Sequence, residues 1–432
     1  MGASRPRDRT PPRLHQPAAW VDAALRAAAA DTPGFAWLDG GDDGRSFLGL
    51  HADRELEGDD PALLDVVDRA WRGDRSRIWI GAITYDFAAD LAAARAPRPR
   101  ALPGLLLRRY ACALERGRDG VVRVHGDDAL PPWFAEVQPA DVGGPWPLTP
   151  PVAVWSPAHY RAQVLAAKQH LFAGDSYQVN LAQRFVAHWR EPTAGSLATR
   201  VAALYGALRA RAPAERGALL RLAAAWVVSN SPETLLDVDD DGVHPVVATS
   251  RPIKGTRVRE SDPARDRAAA AALLASEKDR AEHVMIVDLV RNDLGRLAQV
   301  GSVVAAREPS ALPLPTVHHL VTEIRATLRP DIGLRALVEA MVPGGSITGA
   351  PKRRTMAIIE ALEQHPRGLY CGAIFVLAPD GLRMSIPIRT GVLDREGLSL
   401  HAGGGIVIDS EPEAERRETW AKVRAFAPDT AP

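Results

Sequence analysis

GLYCGAIFVLA (368–378), GLRMSIPIRTGVL (381–393) and LSLHAGGGIVI (398–408) follow one another with only PD and DREG between them. Each run is apolar or alternating, of strand length, and bounded by Gly, Pro or Asp, so the stretch reads as three successive strands. EPEAERRETWAKVRAF (411–426) then closes as a helix. Strand following strand, without strict βα alternation, indicates an α+β architecture with helices packed on largely antiparallel sheets.

Working outward, PKRRTMAIIEALEQH (351–365) reads as an amphipathic helix with Pro351 at its start. VHHLVTEIRATL (317–328) alternates like one strand, and residues 263–291 read as one long helix. AAWVVSN (224–230) and TLLDVD (234–239) are strands separated by a turn at NSPE. YQVNLAQRFVAHW (177–189) has strand character. It follows a helix over 158–172 that presents Tyr160, Val164, Ala167 and Leu171 at helical spacing and stops at Gly174. Toward the N-terminus, AWVDAALRAAAA is helical, FAWLDG and SFLGLHA are short strands, and WIGAITYDFAADL is a buried strand running into a helix. PGLLLRRYACALERG and VVRVHGDD form a hairpin through RGRDG. The Pro/Gly-rich stretch ending VAVWSP places a subdomain boundary within 136–156. This gives a basic disordered tail over 1–15, an N-terminal region over 16–145 and a second domain over 150–428.

The chain has 432 residues, enough for a substantial core, and 53 basic against 53 acidic side chains, a net charge of zero. That balance recommends neither a nucleic acid nor an anionic membrane as partner, and favours a discrete small ligand. Cys112 and Cys371 are the only cysteines and have no metal-ligand spacing, as suits a reducing cytoplasm. No apolar run reaches the roughly 18–20 residues of a spanning helix. The Arg-rich start lacks the apolar segment of a secretory signal.

RPIKGT (251–256) holds a lysine where a fold has no need of one: Pro252 stiffens the backbone and Gly255 permits a bend, placing Lys254 at a constrained turn after Val246, Val247 and Ala248. On the first long helix Asp279 and Glu282 stand three apart and share a face. On the last, Ser410 caps with Glu413 as its capping-box partner, leaving Glu415 and Glu418 again three apart. Brought together, two such pairs make an oxygen-rich cage suited to Mg²⁺; solvated helix faces would present the same pattern. HAGGGIV offers Gly403, Gly404 and Gly405 directly before a strand, and PGGSITGAPK offers Gly344, Gly345, Thr348 and Gly349 before a helix. Both suit an organic anion, as both suit plain turns. Arg389 alternates with Ile386 and Ile388, a cation among apolar neighbours that calls for a carboxylate, either a ligand's or the protein's own. His318 and His319 fall on opposite strand faces, so at most one faces a given pocket.

Together these motifs resemble the chorismate-utilising enzyme family. GDSYQVNLAQRF, SPE, RPIKGT, KDRAEHVMIVDLVRNDLGR, PGGSITGAPK, IRT and AGGGIV stand in family order from about Trp155 to Phe426. The resemblance implies two antiparallel sheets packed together with helices outside, and chorismate as substrate. It also implies Mg²⁺ held by Asp279, Glu282, Glu415 and Glu418, Asp279 being shorter than the Glu of many relatives. It places Gln178, Thr256, His319, Thr348, Tyr370, Arg389, Gly403 and Gly404 around the substrate, and makes Glu233 the acid that assists loss of the ring C4 hydroxyl. Relatives that add water carry a base lysine where this chain has Gln178, so ammonia is the expected nucleophile. Anthranilate-forming relatives read PIAGT; PIKGT places this chain with the branch that aminates C4 through a covalent lysine adduct, toward 4-aminobenzoate and folate. Neither cysteine lies in a glutaminase-type elbow, so the ammonia is expected from a separate glutamine amidotransferase subunit. Loss of pyruvate is expected to need another enzyme. No clear LLES-like inhibitor motif is present, FAWLDGG occupying that region, which makes feedback inhibition by tryptophan doubtful.

Overall fold

The computed structural model describes residues 17–427 except 43, 95–99, 132–145, 191–194, 223 and 315–316. The expected basic tail, and residues 136–145 of the expected boundary, lie outside the described residues. Within them the strands form an eighteen-stranded sheet and a separate three-stranded one, and every pairing is antiparallel.

The opening stretch forms the strands Ala373–Ala378, Gly381–Ser385, Thr390–Leu393 and Gly397–Ile406. The middle run is thus split in two: after Ser385 the chain leaves the ladder at Pro387, which has no N–H to give it, and re-enters at Thr390. The ladder also runs farther than neighbours in sequence. Gln178–His188 pairs with Gly397–Ile406, whose other edge carries Thr390–Leu393, then Trp226–Ser231 and Arg216–Arg221. The next strands are N-terminal: Ala36–Asp39, Ser46–Gly58, Leu105–Arg116 and Ile78–Ile83. Ile78–Ile83 hands the ladder back to Ala373–Ala378, followed by Gly381–Ser385, Thr234–Asp239, Val247–Ser250 and Ile324–Thr327. The N-terminal strands therefore sit in the middle of the sheet.

Two clusters carry most of the core. One packs Trp37, Tyr205, Trp226 and Phe426 with the helix Pro17–Ala29, and the other packs Trp71, Trp79 and Phe375 against the helices Glu277–Gly295 and Leu334–Met341. Trp79 and Phe375 are within 1% of complete burial. Among the described residues no helix is long and apolar enough to cross a membrane.

Three local expectations are corrected. The 263–291 helix is two, Pro263–Ala275 and Glu277–Gly295, because the Ser276 hydroxyl accepts from the Asp279 N–H and caps a new N-terminus. VHHLVTEIRATL is also two strands, Val317–Val321 in the small sheet and Ile324–Thr327 in the large one. The final helix, Pro412–Val423, has Glu411 rather than Ser410 at its cap position, without a side-chain bond to the backbone; Ser410 instead donates to Glu415 Oε1 at 2.6 Å.

Candidate active site

Lys254 lies in the strand Ile253–Val258 rather than in a turn. The ladder to Val317–Val321 slips between Lys254 and Arg257, and Gly255 at the slip has φ +65°. This bulge redirects the strand beneath the Glu277–Gly295 helix. A Cβ on Gly255 would stand 2.9 Å from Leu273 Cδ1 and 3.3 Å from Asp279 Cβ, so glycine is required by conformation and by space. Lys254 is partly buried and its side-chain amine has no hydrogen-bond or ion-pair partner among the described residues. Burial and the positive charge of Lys422 lower its pKa against the pull of Glu233, Glu282 and Glu418.

Glu233 lies in the crossing between the strands Trp226–Ser231 and Thr234–Asp239, 5% exposed. Ser346 Oγ donates to its Oε1 at 2.8 Å. Burial raises its pKa although Ser346, Lys254, Lys422 and Arg389 all favour the carboxylate. The two groups are thus perturbed in opposite directions, each toward its uncharged form.

Arg389 is held at φ +50° by the hydrogen bond its carbonyl accepts from Asn230 N. Among the described residues no carboxylate pairs with it; burial lowers its pKa, with Glu233 as the opposing charge. The internal pairing that would have explained this arginine structurally is not made. His319 Nδ1 donates to Gly255 O at 2.7 Å, which leaves Nε2 without a proton in the neutral ring, buried and without a partner among the described residues. Burial lowers the pKa of His319, with Arg389 and Lys422 adding to the effect. His318 bonds Asp266 at 2.8 Å on the opposite face of the strand.

The remaining expected contacts divide. Gln178 is 1% exposed, its Nε2 has no partner among the described residues, and a Cβ on Gly405 would sit 2.7 Å from its Cδ. Tyr370 stacks on His401 at 5.7 Å. The Thr348 hydroxyl is spent inside its own loop, donating to Gly344 O at 3.0 Å, and Thr256 is exposed with Oγ1 3.2 Å from His319 Nδ1. Gly403 and Gly404 lie inside a strand rather than before one, paired with Ala182 and Leu181. Their bareness serves close approach: a Cβ on Gly403 would be 2.5 Å from Leu181 O, and one on Gly404 3.1 Å from Glu415 Oε2.

Two residues escape a reading of the sequence. Lys422 donates to Gly403 O at 2.7 Å and to Glu418 Oε1 at 2.6 Å, and its charge reaches Glu233, Lys254 and His319. Ser346 lay unmarked among the glycines of PGGSITGAPK. Arg389 and Lys422 therefore place two cations beside the Lys254 amine around one space, an arrangement that attracts a small dianion.

The acids come from the first two turns of two helices, Glu277–Gly295 and Pro412–Val423. Glu415 has its pKa raised by burial and by Glu418; at Glu418 burial raises it, and Lys422, Lys254 and Lys278 together lower it further than that. Both feel Lys278, while Glu282 and Glu418 both act on Lys254, so the helices face the same space. These all-oxygen donors have the chemistry Mg²⁺ takes. They are not drawn into a cage: Asp279 Oδ2 accepts from Arg257 Nη2 at 2.8 Å and Glu418 is paired with Lys422. Among the described residues no three metal-ligating side chains converge.

Residues 35–428 match the family described as chorismate binding enzyme. Over 355 residues the chain is 38% identical to aminodeoxychorismate synthase component 1 of Salmonella typhimurium, covering 80% of this chain and 74% of that protein. It is 34% identical over 445 residues to an anthranilate synthase component 1 of Haloarcula marismortui, covering 93% and 88%. Against the aminodeoxychorismate synthase of Streptomyces pristinaespiralis it is 42% identical over 266 residues, 61% of this chain, and the match spans only 35% of that relative's length. The crystal structure of anthranilate synthase component I from Streptococcus pneumoniae shares the fold, with a TM-score of 0.74 at 24% identity, covering 89% of this chain and 92% of that one.

Proposed function

Because the chain belongs to the chorismate binding enzyme family, we propose that it is an aminodeoxychorismate synthase component 1, aminating chorismate at C4. The reading rests on one observation: Lys254, unpaired with its pKa lowered, shares a space with Glu233, buried with its pKa raised. A nucleophilic amine and a proton-bearing acid are what a substitution through a covalent intermediate needs. Neutral Lys254 Nζ bonds to ring C2 as the C4–O bond breaks, and the oxygen leaves as water with the proton of Glu233. Ammonia then bonds to C4 as the C2–Nζ bond breaks and its electron pair returns to Lys254. Arg389 and Lys422 bind the carboxylates, and Gln178, which has no proton-accepting amine, gives no base for the competing attack by water.

Asp279, Glu282, Glu415 and Glu418 would hold Mg²⁺, whose chemistry here is neutralisation of a substrate carboxylate among these acids. The ammonia comes from a separate glutamine amidotransferase, as the component 1 names of the relatives support. A second reading, amination at C2 with loss of pyruvate, is favoured by the long match to the Haloarcula marismortui protein. Chorismate, Mg²⁺ and ammonium chloride with the purified chain decide between them by mass spectrometry. 4-Amino-4-deoxychorismate supports the first reading; anthranilate with pyruvate overturns it. Lys254→Ala should abolish turnover and remove the substrate-derived mass carried by quenched wild-type enzyme at this residue. Undiminished turnover would remove the covalent step.

A further inference from the structure

Glu233 starts each cycle with a proton and ends it without one, and its route back to solvent is not through the substrate space while that space is filled. At 5% exposure the residue has little direct access to bulk water. Glu233 also borders a cavity of about 10 Å³ whose lining includes none of Lys254, Lys422 and Arg389, at the lower bound of what one ordered water occupies. Glu233, Ser250, Ser346 and Asp293 border it together with the apolar Val290 and Met341. Ser250 Oγ donates to Leu235 O and Ser346 Oγ to Glu233, so both hydroxyl oxygens keep lone pairs for a guest. Two carboxyls and two hydroxyls supply the two to four polar partners that a buried water requires.

Asp293, in the same lining, accepts from Lys352 Nζ at 2.7 Å, and Lys352 also donates to Ala340 O at 3.1 Å. The side chain of Asp293 is 5% exposed and that of Lys352 15%, so the pair connects the cavity toward the surface. Burial raises the pKa of Asp293 against Lys352 and Arg296, which eases its passing through the protonated form.

We propose that one water in this cavity joins Glu233 to Asp293 and is the path by which the catalytic acid regains its proton, an inference that rests on the acid role given to Glu233 above. After the C4 oxygen has left as water, the Asp293 carboxylate takes a proton from solvent past Lys352. The cavity water then gives a proton to the Glu233 carboxylate and takes that one from Asp293, which returns to its ion pair. One proton enters per turnover, which balances the one carried off. Asp293 thus acts through Glu233 and touches no substrate.

The test separates the first turnover from later ones by quenched flow, following chorismate consumption. Asp293→Asn removes the proton carrier, and Val290→Ile fills the cavity while leaving every charge in place. Both should consume the first equivalent of chorismate at the wild-type rate, because Glu233 begins protonated. Later turnovers should then be slower by about tenfold or more, with an enlarged solvent deuterium isotope effect. Equal slowing of first and later turnovers marks a structural role and overturns the path, as does an unchanged steady state in both variants. Product identity is read separately, so anthranilate in place of 4-amino-4-deoxychorismate overturns the proposed reaction without deciding the proton path.

Discussion

Lys254 stood out in the sequence because proline and glycine flank a charge that contributes nothing to a turn; its unpaired state and lowered pKa are tertiary facts. Glu233, one letter in SPE, became an acid candidate only through the resemblance, and its burial against Ser346 supplies the physical reason. The raised pKa carries its proton to higher pH than an exposed carboxyl's 4.5, so activity that depends on this proton persists below the folded pKa and is lost as pH rises through it. Glu233→Gln should lower kcat by about 10²–10⁴-fold while chorismate binding changes little; a kcat within twofold of wild type would exclude general acid catalysis here. Lys422 was illegible because a lysine four residues after Glu418 reads as an ordinary solvated pair on a helix. Its second bond, to Gly403 O, exists only because the strand and helix meet. Glu418→Ala should weaken activation by Mg²⁺, visible as a rightward shift in the metal titration; a superimposable titration would reject the ligand.

At the scale of elements, most strands and helices were legible from period and punctuation, and the misses share a cause. Hydrophobic periodicity runs on through Ser276 and through Thr322, so it cannot register a cap or a change of sheet. The Ser276 cap matters because it sets the start of the helix that carries Asp279 and Glu282 in its first two turns. Ser276→Ala should cost about 1 kcal/mol, measured by urea unfolding; no change in midpoint would show that the cap is dispensable. In sequence the three glycines suit an anion loop and a plain turn alike, whereas they are strand residues. Glycine clusters signal missing side chains without saying what fills the room, which here is the backbone of Leu181, the carboxylate of Glu415 and the amide of Gln178.

Over the whole molecule, a division near residue 150 follows composition, while the hydrogen-bonded ladder crosses it twice. Ala36–Asp39 pairs with Arg216–Arg221, and Ile78–Ile83 pairs with Ala373–Ala378. Residues 147–432 expressed alone should therefore expose two strand edges and the faces of Phe375 and Trp226, and should aggregate or lack cooperative unfolding. A soluble fragment with a single sharp thermal transition would contradict this.

What the amino-acid order alone determined is local: strand succession at the C-terminal end, hence antiparallel α+β architecture, and a motif series that selects a chorismate enzyme, because both depend on neighbours along the chain. Which lysines lose their charge partners, where acids meet, and how the N-terminal strands close the sheet were decided only by folding. Desolvation and close approach are properties of residues far apart in sequence, and no period along the chain encodes them.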